Sequence, residues 1–162
     1  MNRDNSRRIS AIALPAALAC AFSASSQAGE WSANASATSN YIWRGLTQTE
    51  NEAAVQGGID FASDSGFYVG TWASNVNYGP SDVYSYEHDV YAGFAFDTGD
   101  ISWNVGYLYY NYDKEAEFDF GEVYIGMGIG NFSAQYNVLA NTEADEAPGQ
   151  DFGFGEAYYL SL

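Results

Sequence analysis

Eight stretches of this chain alternate aromatic or β-branched residues with Gly, Ser, Asn or acidic residues: 32–44, 53–63, 66–76, 87–97, 101–112, 118–129, 132–139 and 152–161. Successive side chains of a strand point to opposite faces, so this period specifies strands with one apolar and one polar face. Most of these runs exceed the roughly 5–6 residues usual in a globular strand. They match the about 9–11 residues that a tilted strand needs to cross a bilayer.

The faces separate cleanly in the middle of the chain. Val90, Ala92, Phe94 and Phe96 share one face against Asp89, Tyr91, Gly93 and Asp97. Ile101, Trp103, Val105, Tyr107 and Tyr109 oppose Ser102, Asn104 and Gly106. Val123, Ile125, Met127 and Ile129 oppose Glu122, Tyr124, Gly126 and Gly128. Phe132, Ala134, Tyr136 and Val138 oppose Ser133, Gln135 and Asn137. Run 66–76 is balanced, with Tyr68 and Trp72 against Phe67 and Val69, and Glu156 falls in phase with Phe154 and Tyr158 unless Gly155 carries a bulge.

Connections alternate in length. Residues 64–65, 98–100 and 130–131 are tight; 45–52, 77–86, 113–117 and 140–151 are longer, and Pro80 and Pro148 fall in long ones. Short turns at one end and long loops at the other are the arrangement of an up-and-down outer-membrane barrel. The fold expected is therefore all-β: an antiparallel transmembrane barrel of about eight strands, its termini on the periplasmic side.

Residues 1–28 carry a different signal. Arg3, Arg7 and Arg8 precede an apolar stretch from Ile9 to Phe22, and Ser26-Gln27-Ala28 puts small residues at a cleavage site. This reads as a secretory signal peptide, leaving 29–162 as the barrel domain. With that segment go Asp4 and Cys20, the only cysteine, so disulfides do not staple the remainder. Only Arg44 and Lys114 remain as bases against the acids, and the whole chain already has a net charge of -16. Such a chain cannot present the cationic face that nucleic acid requires.

Two aromatic belts are expected where headgroups meet hydrocarbon. Trp31, Phe67, Phe96, Trp103 and Phe132 gather at the turn end, and Tyr41, Trp43, Tyr78, Tyr84, Tyr86, Tyr109, Tyr110 and Tyr112 at the loop end. Trp31, Tyr41, Trp43, Trp103 and Tyr109 are the candidate girdle residues.

Enzymatic chemistry has little to stand on. The one histidine, His88, sits between Glu87 and Asp89 but on the opposite face of the strand, and no Gly-x-Ser-x-Gly, His-Glu-x-x-His or phosphate loop occurs. No catalytic, cofactor-binding or metal residue is assigned. Arg44 is the most informative side chain. It can project into the lumen to pair with Asp60 or Glu122 and shape a constriction, or it can cap the end of its strand. Glu50, Glu52, Asp82, Glu87, Glu115, Glu117, Glu143, Asp145 and Glu146 are expected in the outer loops. There they form either a solvated rim or a negative vestibule that concentrates cations, with divalent ions on lipopolysaccharide as a further partner.

Three segments are more specific than any pattern: 39–49 (Ser-Asn-Tyr-Ile-Trp-Arg-Gly-Leu-Thr-Gln-Thr), 54–61 (Ala-Val-Gln-Gly-Gly-Ile-Asp-Phe) and 66–76 (Gly-Phe-Tyr-Val-Gly-Thr-Trp-Ala-Ser-Asn-Val). In this order, and with 89–93 and 121–126, they resemble the TorF porin family of proteobacteria over about residues 31–139. The resemblance implies an outer-membrane β-barrel porin of a Gram-negative bacterium and no particular substrate. Members of that family continue through further strands, whereas this chain ends on Leu162 rather than on an aromatic residue. The expectation is thus a shortened, eight-stranded member or a truncated reading frame.

The function expected is an outer-membrane channel passing ions or small solutes, with a preference for cations and contacts to lipid and lipopolysaccharide. A non-conducting structural or adhesive barrel, and a soluble periplasmic barrel that binds an apolar ligand, are the alternatives. Oligomeric state is left open.

Overall fold

The computed structural model describes residues 22–26, 29–146 and 150–162, the first of these segments as backbone. Eleven strands follow in order: β1 (Phe22–Ser26), β2 (Gly29–Thr38), β3 (Ile42–Trp43), β4 (Leu46–Thr47), β5 (Ala54–Ala62), β6 (Phe67–Asn75), β7 (Tyr86–Thr98), β8 (Ile101–Tyr112), β9 (Phe120–Ile129), β10 (Phe132–Thr142) and β11 (Tyr158–Ser161). A single 3-10 turn, Lys114–Ala116, is the only helical element among the described residues. Apart from the small β3–β4 hairpin, all strands join one antiparallel meander in the order β1-β2-β5-β6-β7-β8-β9-β10-β11. The expected signal segment lies outside the described residues except for β1, which pairs with β2 from Phe22↔Ala33 to Ser26↔Gly29.

The all-β, antiparallel expectation is met, and six interior runs fall within a few residues of their strands. Both terminal runs need correction. The first does not extend through residue 44; β2 stops at Thr38 and the chain turns back over the sheet. The last is not a strand from 152: only Tyr158–Ser161 pair with β10, after a turn in which Gly155 takes φ +87°. Nor is the barrel closed, since no pairing joins β11 to β1 or β2.

The sheet is nonetheless strongly curled. At about 4.8 Å per strand, a flat sheet would hold β11 roughly 34 Å from β2. Arg44 lies six residues beyond the end of β2, yet its guanidinium sits 4.4 Å from the Tyr159 ring on β11. Six extended residues reach only about 20 Å. Curling therefore brings β11 back toward the chain that leaves β2, and the sheet encloses a trough.

Burial in this trough runs opposite to that of a soluble sandwich. Cross-strand register places Ser74, Glu87, Asp89, Tyr110, Tyr112, Glu122 and Asn137 on the concave face, and all are buried. The convex face carries Trp31, Ile59, Phe67, Val90, Phe94, Phe96, Ile125, Ile129 and Phe132, and all are exposed. Run 66–76 is thereby resolved: Tyr68 and Trp72 face inward, Phe67 and Val69 outward.

Glycines on the concave face make room for tyrosines from the next strand. Tyr68 stands opposite Gly93, Tyr91 opposite Gly70, and Tyr124 opposite Gly106. A Cβ at Gly106 would lie 2.6 Å from Tyr124 Cζ and 2.7 Å from the Ala92 carbonyl. These rings lie flat over bare backbone, and two of them, Tyr68 and Tyr124, join hydroxyl to hydroxyl while Tyr68 donates to Asn104 Oδ1 at 2.6 Å.

Gly106→Ala should therefore destabilise the fold by about 1–3 kcal/mol, the usual cost of overpacking. Gly128→Ala, where a new Cβ meets only the Phe132 carbonyl at 3.8 Å, should be neutral or stabilising. Denaturant unfolding of the two variants in detergent distinguishes them.

Candidate functional site

The four long connections gather at one end of the sheet, and the first of them builds the site. Ile42–Trp43 and Leu46–Thr47 form a two-residue hairpin whose central residues, Arg44 and Gly45, take φ +50° and +86°. That geometry suits a type I′ turn, in which both central residues are left-handed and Gly is favoured second. The left-handed conformation costs a non-glycine residue about 1–2 kcal/mol.

Arg44 gains in return a fork of hydrogen bonds. Its Nη1 donates to Glu122 Oε1 at 2.7 Å and its Nη2 to Glu122 Oε2 at 2.5 Å. The guanidinium is also packed between two rings, 4.2 Å from the centroid of Trp43 and 4.4 Å from that of Tyr159. Asn137 Nδ2 and Tyr110 Oη donate to the same Glu122 oxygen at 3.0 and 3.4 Å. Of the two carboxylates expected near Arg44, Glu122 is therefore its partner. Asp60 is not; it accepts from Tyr91 Oη at 2.5 Å.

Tyr41 and Trp43 do not stand in an outward girdle. Tyr41 is 6% exposed and donates from Oη to Glu87 Oε1 at 2.8 Å. Trp43 packs edge-on to Tyr110 and against Phe120. Tyr110 and Tyr112, from the loop-end group, likewise face inward, and with Tyr41, Ala54 and Val76 they form the buried apolar cluster. For Tyr41 and Trp43 the reason is the turn at Arg44-Gly45, which reverses the chain over the trough; Tyr110 and Tyr112 face inward by the register of β8, opposite Asp89 and Glu87. Trp31 and Trp103 do lie on the convex face near the tight turns, and Tyr109 lies on the convex face near the loops.

Glu87 also needs correction. It belongs to β7, not to a loop, and is 2% exposed, with Tyr41 and Tyr112 donating to its two oxygens at 2.8 and 2.9 Å. Asp89, two residues along the same face, was not among the expected site residues. It is buried, and its Oδ1 has no hydrogen-bond partner among the described residues. Its signal in the sequence is an acid in phase with Glu87 on an inward face. His88 points the other way, within 2.7 Å of Thr71 Oγ1.

The remaining acids stay in the loops. Glu50, Glu52, Glu115, Glu117, Glu143, Asp145 and Glu146 are exposed, and Asp82 is half-buried, accepting from the backbone amides of Tyr78 and Tyr84. Glu117, Glu143 and Asp145 share the lining of a cleft of about 420 Å³ with Phe118 and Phe152. Among the described residues no group of three or more His, Cys, Asp or Glu is arranged to hold a metal ion.

Hydrogen bonds tie the loops to one another. Asn77 donates its amide to the Gln48 carbonyl at 2.8 Å, and Tyr78 Oη donates to Gln48 Oε1 at 2.5 Å. Asp113 accepts from the Ser85 amide and hydroxyl and from the Tyr86 amide. Desolvation is the largest single influence on the Asp113 carboxylate and works against it, but these donors together outweigh it and hold its pKa below the usual carboxylate range. Burial raises the pKa of the Tyr78 and Tyr84 hydroxyls above the ordinary phenol value.

Residues 22–160 match a family described as a bacterial protein of unknown function (Gcw_chp), and the chain belongs to that family. No curated protein and no solved structure matches it.

Two outcomes follow. Arg44→Ala leaves Glu122 buried without its countercharge and should cost about 3 kcal/mol; adding Glu122→Gln should restore more than half, as read by denaturant unfolding. The Asp113 clamp depends on pH. Its pKa is depressed in the folded state, so its stabilisation is present above the ordinary aspartate value of 3.8 and is lost as pH falls through the folded value. Amide exchange at Ser85 and Tyr86 should accelerate in that acid window in the native chain, and should already be fast at neutral pH in Asp113→Asn.

Proposed function

We propose that this chain is an outer-membrane β-barrel of the porin class with a narrow, cation-preferring pathway. The observation that carries this reading is the inverted sheet. Carboxylates and amides are buried on the concave face, while Trp, Phe, Ile and Val stand exposed on the convex one. In water such a surface is a liability; against hydrocarbon it is the low-energy arrangement. The ring of Trp31, Phe67, Phe96, Trp103 and Phe132 at the turn end suits a headgroup boundary. The resemblance of 39–49, 54–61 and 66–76 to TorF porins accords with it.

A barrel in lipid must have no free edge. β1 and β11 run in the same direction, so these two edges cannot close antiparallel. β2 and β11 run in opposite directions and can. Removing residues 1–28, the processing that a signal peptide undergoes, takes β1 away and leaves eight strands, an even number. The proposed mature form is thus β2 paired with β11, with Arg44 already beside Tyr159 at the seam.

Within such a barrel the pathway is restricted. Arg44, Trp43, Tyr41 and the Tyr68–Tyr124 pair occupy the interior, which suits ions rather than larger solutes. The remaining inward charge is mostly negative, which favours cations.

The same packing favours a second reading, a non-conducting barrel that presents its acidic loops. Planar-bilayer recording separates the two. The exported protein should give small conductance steps with a reversal potential of cationic sign under a KCl gradient. Anion selectivity overturns the first reading, and membrane insertion without steps establishes the second.

A further inference from the structure

The carboxylate of Asp89 has no role in the network just described. Arg44 is committed to Glu122, and Lys114 is exposed on the 3-10 turn. No other Lys or Arg follows residue 28. His88 faces the opposite side of the sheet. Yet Asp89 is 7% exposed and its Oδ1 is buried without a partner, beside Glu87 at 2% exposed. A buried carboxylate without a countercharge costs several kcal/mol, and two adjacent ones repel each other as well. Among the described residues no positive charge answers either.

The geometry points to a divalent-cation site on the concave face, held by the Asp89 and Glu87 carboxylates beneath the Tyr41 ring. The described side chains offer oxygen donors there: the Asp89 Oδ1 without a partner, the remaining lone pairs of Glu87, and the phenolic oxygens of Tyr41 and Tyr112 that already touch Glu87. Hard cations choose such donors, and one or two carboxylates with water completing the shell is a known way of holding them. Two negative charges balance one divalent ion. Tyr41 belongs to the connection that follows β2, while Glu87 and Asp89 belong to β7, so an ion here ties that connection to the wall of the trough. The site does not depend on conduction and exists in a closed pore as well as an open one.

Terbium luminescence tests it, because Trp72 and Tyr110, the cross-strand neighbours of Asp89, stand close enough to sensitise a bound lanthanide. The exported protein in detergent is titrated with Tb³⁺, then with Ca²⁺ in competition. Saturation at one site per chain, displaced by Ca²⁺, is expected. In Asp89→Asn, and separately in Glu87→Gln, affinity should fall by about tenfold or more. A loop variant carrying Glu143→Gln and Asp145→Asn should keep it. Thermal unfolding of the unaltered protein gives a readout that needs no variant: Ca²⁺ should raise the midpoint relative to chelator, and Mg²⁺ should do so less. Equal binding in Asp89→Asn, loss of the signal in the loop variant, or an unfolding midpoint indifferent to Ca²⁺ would each overturn the assignment and leave a protonated carboxyl in its place.

Discussion

A sheet that hides its acids and shows its aromatics requires an unusual solvent arrangement, and the rest of this structure follows from that. From β2 to β10 the alternation holds, with Gly, Ser, Asn, Tyr and carboxylates facing the trough and aromatic and β-branched residues facing out. A one-residue slip in any strand would exchange the two sets. The curl of the sheet then converts a polar face into an interior. Polar groups placed there must find partners, and the tyrosine hydroxyls, Asn104, Asn137 and Arg44 are those partners.

The small residues and the large rings are two halves of one device. A trough lined only by Gly and Ser would be hollow, and one lined only by Tyr would not curl so tightly. Pairing Tyr68 with Gly93, Tyr91 with Gly70 and Tyr124 with Gly106 fills the space ring by ring. At the loop end a different device takes over. The Arg44-Gly45 turn folds Tyr41 and Trp43 inward, and the Glu122 fork secures them. Packing and the Arg44–Glu122 ion pair thus divide the interior between them.

Much of this was legible because period-two alternation is a strong signal in long strands. Strand positions and inward and outward sets from 87 to 138 were readable for that reason. The first loop was not, because Tyr41, Trp43 and Arg44 alternate as well as any strand, and only Gly45 marks the reversal. Glu87 was assigned to a loop because acids usually belong to solvent; the two tyrosines that satisfy it are distant in sequence. The glycine–tyrosine pairs were missed, although Tyr-x-Gly recurs at 68–70, 91–93 and 124–126. The closed barrel was expected from strand length and the alternation of short and long connections, whereas the sheet stays open with β1 on its edge.

The central claim, that the convex face meets hydrocarbon and the concave face does not, is open to direct measurement. With Cys20 replaced by Ser, single cysteines at Val123, Ile125, Ser133 and Gln135 carry nitroxide labels in protein reconstituted into liposomes. The account predicts that labels at 123 and 125 relax strongly with dissolved oxygen and hardly with a water-soluble nickel chelate, while labels at 133 and 135 lose the oxygen response. Nickel accessibility at 123 and 125 equal to that of a loop label at Glu115 would contradict it.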